Sequence, residues 1–200
     1  MLKRYKNFLS LTKARKTTYE FSEKEVSKRD ILAILEAARW APSCGNSQPW
    51  HFIIIKNKKT IRQLAETMHY VHAPFIHPLP PIIIAFVLPS EDLLHDRAPQ
   101  EFPHCCKDST CDQHRNELEL CFSMAVFSAT LAAADVGISS CILTPKQDLA
   151  SKILKTRDKG VVRLLVGLGY EKKNAFQKER TREKLLNLVS YEQYGGRGLR

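Results

Sequence analysis

The spacing of hydrophobic positions changes period several times along the chain, and each change marks an element. Leu2, Tyr5, Phe8 and Leu9 fall on one helical face within residues 2–13. Ser27-Lys28-Arg29-Asp30 sets a capping hydroxyl three residues ahead of a carboxylate. An apolar stripe of Ile31, Ile34, Leu35 and Ala38 follows, so a second helix starts there and must stop before Pro42. Residues 51–56 and 82–88 are strand-length apolar runs that read as buried strands, with a helix over 58–69 between them. The longest helical pattern covers 112–136. Its stretch from Leu120 to Ala134 is apolar on nearly every side, which predicts burial on more than one face. Gly137 stands where a helix-ending glycine belongs. A third strand covers 138–143. Thr144 then reads as the cap of a helix with Pro145 at its first position and Gln147 closing the box. A fourth strand over 161–170, a basic segment, a short C-terminal helix and a Gly-rich tail complete the chain.

The connections are as informative. Residues 41–50 carry two prolines and a glycine and form a loop, while 72–81 hold His72, His77 and four prolines in an extended loop. Residues 89–111 have little periodicity and read as a surface insertion or lid. No repeat, linker or break in composition divides the chain, and the strands are too far apart for hairpins. The pattern predicts one three-layer domain over 1–200 of the α+β class.

Composition narrows the partners. A chain of 200 residues with 44% apolar and 26% charged residues has the material for one core. No apolar run approaches a bilayer span, and the N-terminus lacks the apolar region and cleavage site of a secretory leader, so a cytoplasmic protein is expected. Six cysteines without an export signal read as reduced thiols. The net charge of +10 calls for an anionic partner. The basic residues are spread over the helices and are not interleaved with aromatics as in base-stacking modules. A small phosphorylated ligand therefore fits better than nucleic acid or a membrane.

Three separated segments carry candidate chemistry. Arg15-Lys16-Thr17-Thr18-Tyr19-Glu20-Phe21 sets two cations beside a hydroxyl just after a helix, a grouping that can hold a phosphate by charge-assisted hydrogen bonds. The loop Ala41-Pro42-Ser43-Cys44-Gly45-Asn46-Ser47-Gln48-Pro49-Trp50 presents small polar groups and backbone N–H groups, suited to the edge of a flat heteroaromatic ring. Lys178-Glu179-Arg180 supplies a second pair of cations. Taken singly, these are a solvated helix end, an ordinary connection and a surface charge run.

Taken together they resemble the nitroreductase family, over most of the chain. Arg15-Lys16-Thr17-x-x-x-Phe21 is similar to the family's opening motif. Ala38-Arg39-Trp40-Ala41-Pro42-Ser43-x-Gly45-Asn46-x-Gln48-Pro49-Trp50-x-Phe52 resembles its most recognisable block. The helix, Gly137-Ile138 and the strand after it resemble the central unit, and Gly167-x-Gly169-Tyr170 followed by Lys178-x-Arg180 resembles the closing phosphate site. The resemblance implies a sandwich with a mixed central sheet flanked by helices, and a homodimer with FMN at the subunit interface, built partly on residues 120–134. It implies that Arg15, Lys16, Thr17, Lys178 and Arg180 hold the FMN phosphate and ribityl chain. Pro42, Ser43, Cys44 and Asn46 would line the flavin from the partner subunit, with backbone groups of Leu143 and Thr144 near flavin N5. The implied reaction is ping-pong: NAD(P)H reduces the flavin and leaves, and a small nitro- or quinone-like acceptor takes its place. The cofactor carries the chemistry, so no side chain is assigned as catalytic.

Two departures stand out. Tyr19 occupies a position where the family has Arg or Lys near flavin N1 and O2; His72 or His77 could supply that charge, the plainer reading being solvated loop histidines. His104, Cys105, Cys106, Cys111 and His114 place five soft ligands within eleven residues, but not at the paired spacing of a structural zinc site, so reduced thiols and no metal are expected. Two competing readings are a different flavin reaction on the same fold, with 89–111 as its lid, and a non-enzymatic flavin-storing or nucleic-acid-binding protein.

Overall fold

A computed structural model describes residues 2–68, 79–90, 93–94 and 112–195. The order of elements is α1 (Leu2–Ala14), α2 (Lys28–Arg39), β1 (His51–Ile55), α3 (Lys58–Ala65), β2 (Ile82–Pro89), α4 (Asp112–Asp135), β3 (Ser139–Leu143), α5 (Gln147–Ile153) and β4 (Gly160–Gly169). Local chemistry explains several of the ends. The Ser27 hydroxyl accepts the Asp30 N–H at 3.1 Å and donates to the Asp30 carboxylate at 2.7 Å, so the expected cap forms. The Asn57 side-chain oxygen accepts from the N–H groups of Lys59 and Thr60 and starts α3 in the same way. Gly137, at φ +73°, ends α4: its own N–H donates to Ala134 and that of Ile138 to Ala133, the paired bonds of a left-handed helix end.

The four strands pair in the order β1-β2-β4-β3, and every pairing is antiparallel. The mixed sheet expected from the sequence is thus corrected. Among the described residues the parallel contribution is one isolated bridge, Thr17 to Ser140. Strand direction follows from how the intervening chain crosses the sheet, and hydrophobic periodicity does not encode that. Alternation along β2 and β4 sorts two clusters onto opposite faces. Ile82, Ile84, Phe86, Val166 and Leu168 pack with Ile31 and Ile34 of α2 and with Phe122, Ala125, Val126 and Ala129 of α4. Ile83, Ala85, Val87, Val162 and Leu165 pack with Ile61 and Leu64 of α3 and Ala150 of α5. Covered on both faces, β2 needs an unbroken apolar run. Among the described residues β1 has a neighbour on one side only, and its Ile54 is 42% exposed, so the first run is less buried than its letters suggest.

Two helix boundaries depart from expectation for one reason. Pro145 forms an antiparallel bridge with Met68, and the Lys146 N–H donates to the Thr67 carbonyl at 2.6 Å. This contact keeps the chain extended past Thr144, so α5 begins at Gln147 with Lys146 as its cap, and Thr144 caps nothing. On the other side it ends α3 at Ala65, short of His69. The C-terminal helix reduces to one 3-10 turn, Leu185–Asn187. In α4, the segment Asn116–Asp135 is, by length and composition, apolar enough to cross a membrane, which corrects the reading that no run comes near that length. Its polar letters interrupt the run without lowering its mean hydropathy much, and Phe122, Ala125, Val126, Ala129 and Ala133 place it in the domain core. The opposite face of α4 stays open at Leu120 (65% exposed), Met124 (39%) and Phe127 (48%).

Residues 17–22 cross the ends of β3 and β4. Thr18 N–H donates to Ser140, Phe21 bridges Glu171, and Ser22 N–H donates to Tyr170. Gly169 makes this crossing possible, since a Cβ there would lie 2.7 Å from Pro81 and 2.8 Å from Phe21. Gly169→Ala is expected to cost about 1–3 kcal/mol through overpacking. Thermal unfolding should register it as a drop of about 2–4 °C per kcal/mol; an unchanged Tm would contradict this packing.

Candidate cofactor site

The crossing seats the first segment. Arg15 follows α1 directly, its N–H donating to Leu11, and Thr17 and Thr18 are held against Ser140. The tail returns to the same place. Beyond β4, the Lys172 N–H donates to Glu20, and the Arg180 guanidinium donates to the Lys13 carbonyl at 2.7 Å. Opposite ends of the sequence are thereby brought together. Arg15 is half-buried, and this burial, with repulsion from Arg180 and then Arg182, holds its pKa below the ordinary arginine range. All three influences oppose the charge. A folded chain that gathers cations in this way has a place for a multiply charged anion.

The remaining phosphate candidates divide. The Lys16 ammonium pairs with Glu171, at 2.8 and 3.0 Å to its two oxygens, and the Gln177 amide also donates to that carboxylate. Lys16 is therefore engaged inside the chain. Thr17 is half-buried beside Ser140, and Lys178 is exposed on the tail. Thr18, within the first segment but given no role there, is fully buried with its Oγ1 lacking a hydrogen-bond partner. Arg182 was also missed; the alternation of cations in Lys178-x-Arg180-x-Arg182 was the available signal.

The second group is the loop after α2. Its backbone is unusual: Gly45 (φ +53°), Asn46 (+54°) and Gln48 (+47°) are all left-handed. Non-glycine residues enter that region seldom, and tend to do so where a local constraint or a site demands it. The Ser43 hydroxyl accepts the Gln48 N–H at 3.0 Å, and the Cys44 N–H points at the Cys121 sulfur of α4 at 3.2 Å. Pro42 and Asn46 are exposed, and Ser43 and Cys44 half-buried. Ser47 is buried, and its Oγ, like that of Thr18, has no partner. Each group thus holds one buried orphan hydroxyl, an arrangement suited to a polar ligand.

Leu143 ends β3, buried, and Thr144 follows it exposed. Tyr19 packs against the cluster that contains Phe21 and Leu143, its ring 6.4 Å from that of Phe176. A neutral aromatic fills that position. His72, His77 and the His104–His114 cluster lie outside the residues whose side chains are described, as does most of 89–111. Among the described residues, no group of three or more His, Cys, Asp or Glu could hold a metal. A cavity of about 780 Å³ lies against α3, bordered by Lys56, Lys58, Arg62 and Pro80, and none of the candidate residues lines it.

Within one chain the two groups are well separated. Cys44 docks at Cys121, whereas Thr17 lies just past the far end of α4, some 14 residues or ~21 Å along the helix. The arginine group alone makes a prediction. Inorganic phosphate should stabilise the flavin-free protein, by ~2.7 kcal/mol at a hundredfold excess over Kd. Thermal scans should show the shift, and its persistence in Arg15→Ala would place the anion elsewhere.

A family model described as the nitroreductase family matches residues 12–170. Across 181 aligned residues, the chain is 28% identical to an oxygen-insensitive NADPH nitroreductase of Helicobacter pylori, covering 81% of this chain and 83% of that protein. A shorter match, 36% identical over 62 residues, is to an Archaeoglobus fulgidus protein named for NADH dehydrogenase or NAD(P)H nitroreductase activity; it covers 31% of this chain and 36% of that one. Among solved structures, a nitroreductase family protein from Streptococcus pneumoniae superposes with a TM-score of 0.76 at 23% identity, over 92% of this chain and all of the other. An FMN-dependent nitroreductase from Clostridium difficile superposes with a TM-score of 0.70 at 19% identity, over 92% and 99%.

Proposed function

The chain belongs to the nitroreductase family, and we propose that it is an FMN-dependent oxidoreductase of the cytoplasm, a homodimer that passes electrons from NAD(P)H to a small nitro- or quinone-like acceptor in two half-reactions. Among its relatives, one is named an NADPH nitroreductase and another an NAD(P)H-flavin oxidoreductase. The observation that carries the reading is the arginine group. Burial, and then the charges of Arg180 and Arg182, disfavour the charge on Arg15, and an anion among them relieves that. The residues fit an FMN monophosphate: a dianion for the guanidiniums, buried hydroxyls at Thr18 and Ser47, and a stiff polar loop for a ring edge.

Arg15 and Arg180 bind the phosphate, and the Lys16–Glu171 pair holds the first segment to the end of β4. Pro42, Ser43, Cys44 and Asn46 of one subunit close over the ring held by the other and exclude water from it. The backbone at Leu143 and Thr144 orients the ring's central edge. When bound, FMN supplies the two-electron acceptor and donor that no side chain here can replace. The exposed stripe Leu120, Met124 and Phe127 and the exposed tail residues Leu185, Leu186 and Leu188 support the dimer. The stripe starts next to Cys121, where the loop docks, so the same face that joins two chains brings loop and arginines together.

The test is to denature the purified protein and identify the released flavin by chromatography. FMN is expected, because the phosphate group is small and the chain has no G-x-G-x-x-G turn. FAD, or no flavin together with no binding on titration, would overturn the reading.

A further inference from the structure

Two thiols meet where the loop docks on α4. Cys44 is half-buried and Cys121 only 4% exposed. The Cys44 nitrogen is 3.2 Å from the Cys121 sulfur. Adding one N–Cα bond and the reach of a cysteine side chain puts the two Cα atoms within about 7.5 Å. Disulfides span about 4.4–6.8 Å between Cα atoms, a range that lies within this limit. Cys121 is buried on α4, whereas Cys44 opens a short turn whose Gly45 and Asn46 are left-handed. The third described thiol, Cys141, is a contrast: burial under the sheet pushes it up to about 12, which leaves it inert.

We propose that Cys44 and Cys121 form a redox-active dithiol that undergoes exchange with small-molecule disulfides. Cys44, the more exposed of the two thiols, attacks one sulfur of the small disulfide, forming a mixed disulfide and expelling one thiolate, which takes up the proton that Cys44 lost. Cys121 then attacks the Cys44 sulfur and expels the second thiolate, protonated likewise by the proton from Cys121. Two electrons pass from the protein thiols to the small disulfide. The products are a Cys44–Cys121 disulfide and two small thiols, and excess dithiol reverses the sequence. In the oxidised form the loop is covalently tied to α4. The inference stands on the geometry of the two cysteines; because the flavin reading places Cys44 over the ring, the exchange is tested on the protein stripped of flavin as well as on the protein as purified.

The experiment treats the full-length protein, as purified and stripped of flavin, with oxidised glutathione, blocks the remaining thiols by alkylation and maps peptides by mass spectrometry without reduction. The wild type should yield the linked Cys44 and Cys121 peptides. Cys121→Ser should retain glutathione on Cys44, the trapped first step, and Cys121→Ala should do the same if serine disturbs the buried site. Cys44→Ser should leave Cys121 unmodified, because buried Cys121 has no access of its own. A flavin-free wild type in which Cys44 stays unmodified, keeps its glutathione or pairs with a different cysteine would overturn the proposal.

Discussion

Arg15→Ala and Arg180→Ala are each expected to weaken FMN binding by roughly 10- to 150-fold, while Lys172→Ala leaves it unchanged. The range corresponds to the about 1.5–3 kcal/mol of a charge-assisted hydrogen bond. Lys172 is the informative control. It lies on the same basic tail, but its exposed side chain takes no part in the arginine group, and only its backbone N–H ties it to Glu20. A second readout separates binding from folding. Burial and the charges of Arg180 and Arg182 disfavour the Arg15 charge in the folded chain. Removing it relieves that repulsion, so flavin-free Arg15→Ala should unfold no more readily than the wild type on this account. Fluorescence titration of FMN into the flavin-free proteins measures the first effect and denaturant unfolding the second. Equal affinities across the three variants would mean that the phosphate binds elsewhere.

Phe127→Glu, or Leu120→Glu, is expected to leave a folded monomer that has lost most of its flavin. Both side chains lie on the open face of α4, where a single chain leaves them in water. A buried carboxylate without a partner at that interface costs several kcal/mol, and the half-sites come apart with the dimer. Val126→Glu should behave differently. Val126 is buried in the chain's own core beside Phe122 and Ala129, so a charge there unfolds the subunit itself. The expectation that a dimer is built partly on residues 120–134 is therefore proposed for the face of α4 that carries Leu120, Met124 and Phe127. Sedimentation of the variants, with absorbance read in the flavin band, gives both mass and loading. A stable, FMN-loaded wild-type monomer would defeat the account of two half-sites.

Some of this was legible in the letters because local chemistry decides it. The Ser27 hydroxyl, the left-handed Gly137 and the continuous run of β2 each act within a few residues of themselves. The segments Arg15 to Thr17, Pro42 to Asn46 and Lys178 to Arg180 were visible for the same reason, as residue types whose grouping has a chemical use. What escaped depends on distant contacts. Thr144 has every local mark of a helix cap, yet a bridge from Met68 to Pro145 overrides it. The directions of the strands depend on crossovers. Thr18 and Ser47 matter because the fold buries their hydroxyls without partners, and burial of a single Ser or Thr cannot be read from its neighbours. Arg182 belongs with Arg15 because the tail returns to the end of α1, a closure spanning nearly the whole chain.

The most direct test of the central claim is an anaerobic titration of the purified protein with NADPH and, separately, NADH, followed in the visible spectrum. The account predicts a bound-FMN spectrum that bleaches with one equivalent of nicotinamide per flavin and returns when a quinone or nitroaromatic is added afterwards, with no nicotinamide remaining. A protein whose flavin spectrum is untouched by either nucleotide, or that bleaches but is not reoxidised by any such acceptor, would contradict it.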